Sequence, residues 1–164
     1  MVDLQSQYAL IRPQVEAGME KVLSSAQFIN GPAVKLFQSN LESYLGVKHV
    51  IPCANGTDAL QVAMMGLRLE PGDEVITADF TFVSSVEVIA LLGLTPVLVD
   101  VGLNSFNIDP NAIERAITPK TKAIIPVHLF GQVADMDAIM AIAKKYNLYA
   151  VSYTHLTLPT KRIV

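Results

Sequence analysis

Two patterns of apolar residues alternate along this chain. In one, apolar side chains recur every third or fourth position, which is typical of a helix with one buried face. In the other, short and nearly continuous apolar runs are typical of buried strands. The helical pattern covers residues 13–25, 32–45, 57–67, 82–92, 111–117 and 135–146, and the strand pattern covers residues 49–53, 74–77, 95–99, 121–127 and 148–151.

Punctuating residues support these segments. Pro32 begins the second helical segment and Gly46 follows its end, as helix boundaries predict. Asp109 and Pro110 likewise predict an N-cap and a first helical position. Strands that alternate with helices predict an α/β fold, with a mostly parallel sheet sandwiched by helices. The apolar runs VIT, PVLV and AIIPV predict strands covered on both faces.

The turn ANGT at residues 54–57 joins the first predicted strand to a helix. Gly56 permits a tight turn, and Thr57 is predicted to cap the helix. Such a junction directs free backbone N–H groups and the positive end of the helix toward one point, which favours phosphate binding. The alternative is an ordinary capped turn of an α/β protein.

Ligands of open α/β sheets bind where the strands end, and two more loops follow strands there. In the first loop, the Phe82 ring could either stack on a flat ligand or pack against the start of the following helix. Asp79, in the same loop, could either cap that helix or contact a ligand. In the second, His128 is a candidate acid–base group or a residue that bonds the backbone. Cys53 is predicted to be a buried strand residue.

Composition narrows the class of protein. The 164 residues favour one domain, and a net charge of −3 without a Lys/Arg run argues against a nucleic-acid partner. Although 51% of the residues are hydrophobic, no run approaches the roughly 18 residues of a membrane span. A single cysteine and no signal-peptide pattern predict a cytoplasmic protein. We predict no metal site and no membrane partner.

Collinear segments of residues 2–151 resemble the N-terminal part of the DegT-type sugar-nucleotide aminotransferases, which use pyridoxal 5′-phosphate (PLP). The segments are VDLQSQY (2–8), FINGP (28–32), CANGTDAL (53–60), PGDEVITADFTF (71–82), LLGLTPVLVDV (91–101), NIDP (107–110), ITPKTKAIIPVHLFGQ (117–132) and DMDAIMAIAKKYNLY (135–149). The resemblance implies part of the large domain of a type I PLP enzyme, and a homodimer.

The resemblance also implies the cofactor contacts. Gly56 and Thr57 would hold the phosphate of PLP, and the amide of Asp58 would be a third donor. The Asp58 carboxylate would have to turn away from the phosphate. Phe82 would stack on the pyridine ring. The implied reaction transfers an amino group from an amino acid, commonly glutamate, to a nucleotide-linked keto-sugar, in cell-surface polysaccharide or amino-sugar biosynthesis.

The chain departs from the family after residue 151. There the family has an acidic pair, whose Asp contacts the pyridine nitrogen, and then a segment containing Gln, but residues 152–164 hold no carboxylate. Lys161 lacks the context of the family's Schiff-base lysine, so we predict no catalytic residue in this chain. We expect residues 1–151 to be a partial PLP-binding large domain without the small C-terminal domain. We expect residues 152–164 to be a non-native tail, or alternatively a divergent C-terminus, and the fragment to be inactive alone.

Three other functions stay open. A PLP-dependent sugar dehydratase of the same superfamily has a His in place of the Schiff-base lysine. A nucleotide-binding oxidoreductase domain also contains βαβ units, but no G-x-G-x-x-G follows a strand here. A non-catalytic fragment is the third alternative.

Overall fold

A computed structural model describes residues 3–154. The expectations for Val2 and for residues 155–164, Lys161 included, lie outside the described residues. The chain divides into two compact units between Cys53 and Ala54. Among the helices that the structure describes, none combines the length and the apolar composition needed to cross a membrane.

The first unit contains two helices. Helix α1 spans Leu4–Ser25, and the Asp3 carboxylate accepts from the amide of Ser6 at its start. This helix begins earlier than the predicted residue 13, and Pro13 lies inside it. Helix α2 spans Pro32–Leu45, as predicted, and ends at Gly46 in the left-handed conformation with φ 66°.

The predicted strand at residues 49–53 is wrong, since this segment has no regular secondary structure. A strand needs a hydrogen-bonded neighbour, and the described sheet pairs only later segments. Instead, the amide of Val50 donates to the Glu42 carboxylate at 3.0 Å. Cys53 is exposed rather than buried.

The second unit contains a four-stranded parallel sheet. Its strands are β1 (Glu74–Ala78), β2 (Thr95–Val99), β3 (Thr121–Ile125) and β4 (Tyr149–Ala150), in the order β2-β1-β3-β4. Its helices are α3 (Gly56–Gly66), α4 (Ser84–Leu91), α5 (Pro110–Ala116) and α6 (Met136–Tyr146). Each crossover from one strand to the next contains one α-helix, which confirms the predicted α/β fold.

Alternate side chains of the sheet enter two separate cores. Val75 packs with residues of α3 and α4, whereas Ile76 packs with residues of α5 and α6. Helices therefore cover both faces, and β1 is buried along most of its length. The prediction that both faces of every strand are covered is wrong for β2, because Leu98 of this edge strand is 51% exposed.

Candidate functional site

The start of α3 lies at the turn that the sequence singled out. Asn55 is extended and is the N-cap, and its side-chain oxygen accepts from the Asp58 amide at 2.9 Å. The predicted cap, Thr57, is wrong because Thr57 already lies inside the helix. The Asn55 side-chain amide donates in turn to the Asp58 carboxylate at 2.9 Å. These two bonds form a reciprocal cap.

The reciprocal cap decides which donors at this turn are available. Among the described residues, none accepts a hydrogen bond from the amides of Gly56 and Thr57, the first two residues of α3. These amides lie at the positive end of an 11-residue helix. The Asp58 amide donates to Asn55 in this structure, so the amides of Gly56 and Thr57 are the two open backbone donors at the turn, and the role of Asp58 as a third donor stays a prediction.

The two other candidate loops form an aromatic recess at the carboxyl ends of β1 and β3. Phe82 is 44% exposed and lines a cavity of about 180 Å³ together with Phe80, Thr81, Leu129 and Phe130. Phe130 has a positive φ of 52°, which is unusual for a bulky side chain. The rings of Phe80 and Phe106 pack with their centroids 5.6 Å apart. The recess is apolar and suits a flat ring.

Two buried polar side chains hold the loop that carries Phe130. Asn107 is 4% exposed, donates to the Gln132 carbonyl at 3.1 Å and accepts from the Leu129 amide at 3.2 Å. Nδ1 of His128 accepts from the Ala134 amide at 3.1 Å, as the backbone-bonding alternative predicted. Burial lowers the pKa of His128, because it disfavours the charged imidazole.

Asp79 does not cap the following helix. The N-cap of α4 is Val83, and no side chain caps the helix there. The backbone amide of Asp79 donates to the Val99 carbonyl at 3.0 Å. The capping role predicted for Asp79 is therefore wrong.

Tyr153 lies beside the start of α3. A Cβ atom placed on Gly56 would be 3.4 Å from Cε2 of Tyr153 and 3.6 Å from its hydroxyl oxygen. That hydroxyl is 3.1 Å from the hydroxyl of Ser84, the first residue of α4. Gly56, Ser84 and Tyr153 thus meet at the carboxyl end of the sheet, and Phe82 lies two residues before Ser84.

A helix-covered parallel sheet with an open helix start and an aromatic recess at its carboxyl edge has the fold of PLP-dependent aminotransferases. DesV from S. venezuelae, solved in complex with a ketimine intermediate, has a TM-score of 0.88 at 37% identity, over 92% of this chain and 40% of DesV. The NtdA structure from Bacillus subtilis with bound cofactor PMP has a TM-score of 0.79 at 40% identity, over 82% of this chain and 31% of NtdA.

The chain belongs to the DegT/DnrJ/EryC1/StrS aminotransferase family, which matches residues 10–153. A similar curated protein is the UDP-2-acetamido-2-deoxy-3-oxo-D-glucuronate aminotransferase of Pseudomonas aeruginosa, 52% identical over 147 residues. That match covers 90% of this chain and 41% of the relative. The chain therefore spans about two-fifths of the length of this relative.

The described residues fit one end of PLP and not the other. The open amides of Gly56 and Thr57 suit a phosphate, and the recess beside Phe82 suits a flat ring. No carboxylate is present at residues 152–154 to contact a ring nitrogen, and Tyr153 fills the space next to Gly56. The phosphate and one face of the ring therefore fit the described residues, whereas the edge of the ring that carries its nitrogen does not.

Sequence reasoning missed Asn55, Asn107, Ser84 and Tyr153. The Asn55 cap had a local signal, because Asn precedes Asp by three residues just before an apolar helix. The other three had none. Ser84 and Tyr153 are 69 residues apart, and Asn107 bonds a residue 22 positions away.

Proposed function

We propose that the protein to which these residues belong transfers an amino group from an amino acid, with glutamate as the expected donor, to a nucleotide-linked keto-sugar, with PLP as cofactor. The observation that carries the proposal is the family match over residues 10–153, together with the open amides of the family's phosphate turn. The P. aeruginosa relative's name specifies a UDP-linked 3-oxo sugar. We extend that substrate class, a ketone at carbon 3, to this protein.

Gly56 and Thr57 are assigned to the cofactor phosphate, since their amides are open at a helix N-terminus. The Asp58 carboxylate is held by Asn55, which limits its repulsion of the phosphate. Phe82 is assigned to the ring, because it is half exposed in the apolar recess. When bound, PLP supplies the electron sink for the transfer.

The wider setting is part of the same proposal. A sugar aminotransferase of this family would act in cell-surface polysaccharide or amino-sugar biosynthesis, as a cytoplasmic homodimer. The 164-residue chain by itself is proposed to be inactive, because residues 152–164 contain neither a carboxylate for the ring nitrogen nor a lysine in the family context.

A chimera tests this function. Residues 1–151 are joined to the downstream part of the P. aeruginosa relative and incubated with PLP, glutamate and a UDP-linked 3-oxo sugar. The expected result is a visible absorbance band of bound PLP, together with formation of 2-oxoglutarate and a UDP-linked 3-amino sugar. The unaltered 164-residue chain is the control and should produce neither.

Two results would overturn the proposal. One is a folded chimera with no PLP band and no amino transfer, under conditions in which the relative itself is active. The other is reduction of the sugar ketone by a nicotinamide cofactor, which would support the oxidoreductase alternative.

A further inference from the structure

We propose that Tyr153 blocks the carboxyl edge of the sheet in this chain and keeps the pyridine ring of a phosphorylated cofactor out of the site. The inference rests on the proposed function, which assigns the cofactor phosphate to Gly56 and Thr57. The cofactor ring must enter the site beside its phosphate, and Tyr153 determines whether there is room for it.

The backbone of Tyr153 is fixed beside the extension of β3. Its amide donates to the Pro126 carbonyl at 3.0 Å, and its carbonyl accepts from the His128 amide at 2.8 Å. A parallel bridge pairs it with Val127. Because both backbone groups are bonded, the direction of the side chain follows from the pleat of the strand.

The pleat directs the Tyr153 side chain toward α3 and α4. Val151 and Tyr153 are two residues apart and both pack on the core that contains Leu60 and Val88. The Tyr153 ring lies next to Gly56, within van der Waals distance of where a Cβ atom of that residue would be. Its hydroxyl bonds to Ser84, a side chain that is 1% exposed.

Position 153 is the last residue of the family match, and there the resemblance implies a different side chain. Ser152 and Tyr153 stand where the resemblance places an acidic pair. A phenol ring is larger than a carboxymethyl group and extends further from the backbone. The same backbone position that would direct a small acidic side chain toward a ring nitrogen therefore directs an aromatic ring into that space.

A binding experiment on the 164-residue chain tests the block. The probe is pyridoxine 5′-phosphate, which keeps ring and phosphate but has no aldehyde to react with surface lysines. Tyr153→Ala should bind it about tenfold more tightly or better than the parent chain does. Tyr153→Phe should bind like the parent, because the ring remains. Tyr149→Ala is the matched control, since Tyr149 is 53% exposed on β4, and it should change nothing.

Inorganic phosphate separates the possible failures. If Tyr153→Ala binds phosphate but binds the pyridoxine ester no better than the parent does, the block is wrong while the phosphate assignment stands. If Tyr153→Ala binds neither probe, the phosphate assignment is wrong and the block falls with it. Equal binding of the ester by the parent and Tyr153→Ala also overturns the block.

A second measurement needs no variant at position 153 and no ligand. Nitration with tetranitromethane should modify Tyr44 and Tyr149, which are 74% and 53% exposed, before Tyr153. Ser84→Ala should speed the nitration of Tyr153, because the Tyr153 hydroxyl then loses its hydrogen bond to the Ser84 hydroxyl. Nitration of Tyr153 in the parent chain as fast as that of Tyr149 would show that the ring does not occupy the space beside Gly56.

Discussion

Removal of the Asn107 side chain should destabilise the second unit and loosen the loop that carries Phe130. Asn107→Ala deletes one acceptor for the Leu129 amide and one donor to the Gln132 carbonyl. Leu129 is only 4% exposed, so its amide would lose its partner away from water, at a cost of about 1–3 kcal/mol. Gln132 is exposed, so water can replace the second bond, at a cost of about 0.5–1.5 kcal/mol. The expected total is about 1.5–4.5 kcal/mol.

Urea unfolding and amide hydrogen exchange measure the two effects. The free energy of unfolding should fall by the stated amount, and the Leu129 amide should exchange faster than the amides of β3. Asn111→Ala is a matched control, because Asn111 is exposed and, within residues 3–154, its side chain bonds only to Asp109, two positions earlier. This control should cost less than about 0.5 kcal/mol.

The reasoning would be refuted by an Asn107→Ala variant that unfolds at the same urea concentration as the Asn111→Ala variant. Unchanged exchange of the Leu129 amide would refute it equally. Either result would mean that the loop is held by packing alone. In that case the two hydrogen bonds would not be what fixes the Phe130 side of the recess.

Two further predictions concern the phosphate turn and pH. In the active chimera, Thr57→Ala should weaken PLP binding by about 1–2 kcal/mol in a PLP titration, because a hydroxyl bond to a charged group is lost while the backbone donors remain. Phe82→Ala should also weaken PLP binding, whereas the control Thr95→Ala, on the edge strand, should not. Equal PLP affinities for all three variants and the unmutated chimera would show that the site is misplaced. Burial lowers the pKa of His128 below 6.5, so the unfolded chain takes up this proton first as the pH falls. Neutral His128 therefore stabilises the folded chain fully above pH 6.5, and this stabilisation is lost as the pH falls through the pKa of His128 in the folded state. The urea concentration at the midpoint of unfolding should fall over the same pH range, and His128→Gln should reduce this pH dependence. An unchanged pH dependence in His128→Gln would contradict the role given to His128.

Local sequence determined most of the element order. Helix α2 and strand β2 have the predicted bounds, because the residues that mark where each element begins and ends belong to the element itself or are its immediate neighbours in the sequence. Asp109 caps α5 through the Asn111 amide, with Pro110 at the first helical position, as the local pattern predicted. Alternation of strands and helices then predicted the parallel sheet. The collinear segments predicted the family, which the match over residues 10–153 confirms.

Tertiary structure decided what depends on partners distant in the chain. Residues 49–53 have the composition of a strand, but composition cannot supply a hydrogen-bonded neighbour. The apolar run of β2 resembles that of β1, yet only the strand order makes β2 an edge strand with an exposed Leu98. In both cases the deciding contact comes from another part of the chain.

The candidate site shows the same division. Sequence indicated the turn with Gly56 and Thr57, because a glycine directly before a helical pattern is a local signal, although the strand predicted before it is wrong. The tertiary structure decided that Tyr153 lies against Gly56, a residue 97 positions earlier in the chain. Sequence shows which residues are present and how they are spaced locally. Which side chains share one space is set by the pairing of β4 with β3 and the packing of α3 and α4 on the sheet, and those contacts join residues far apart in the chain.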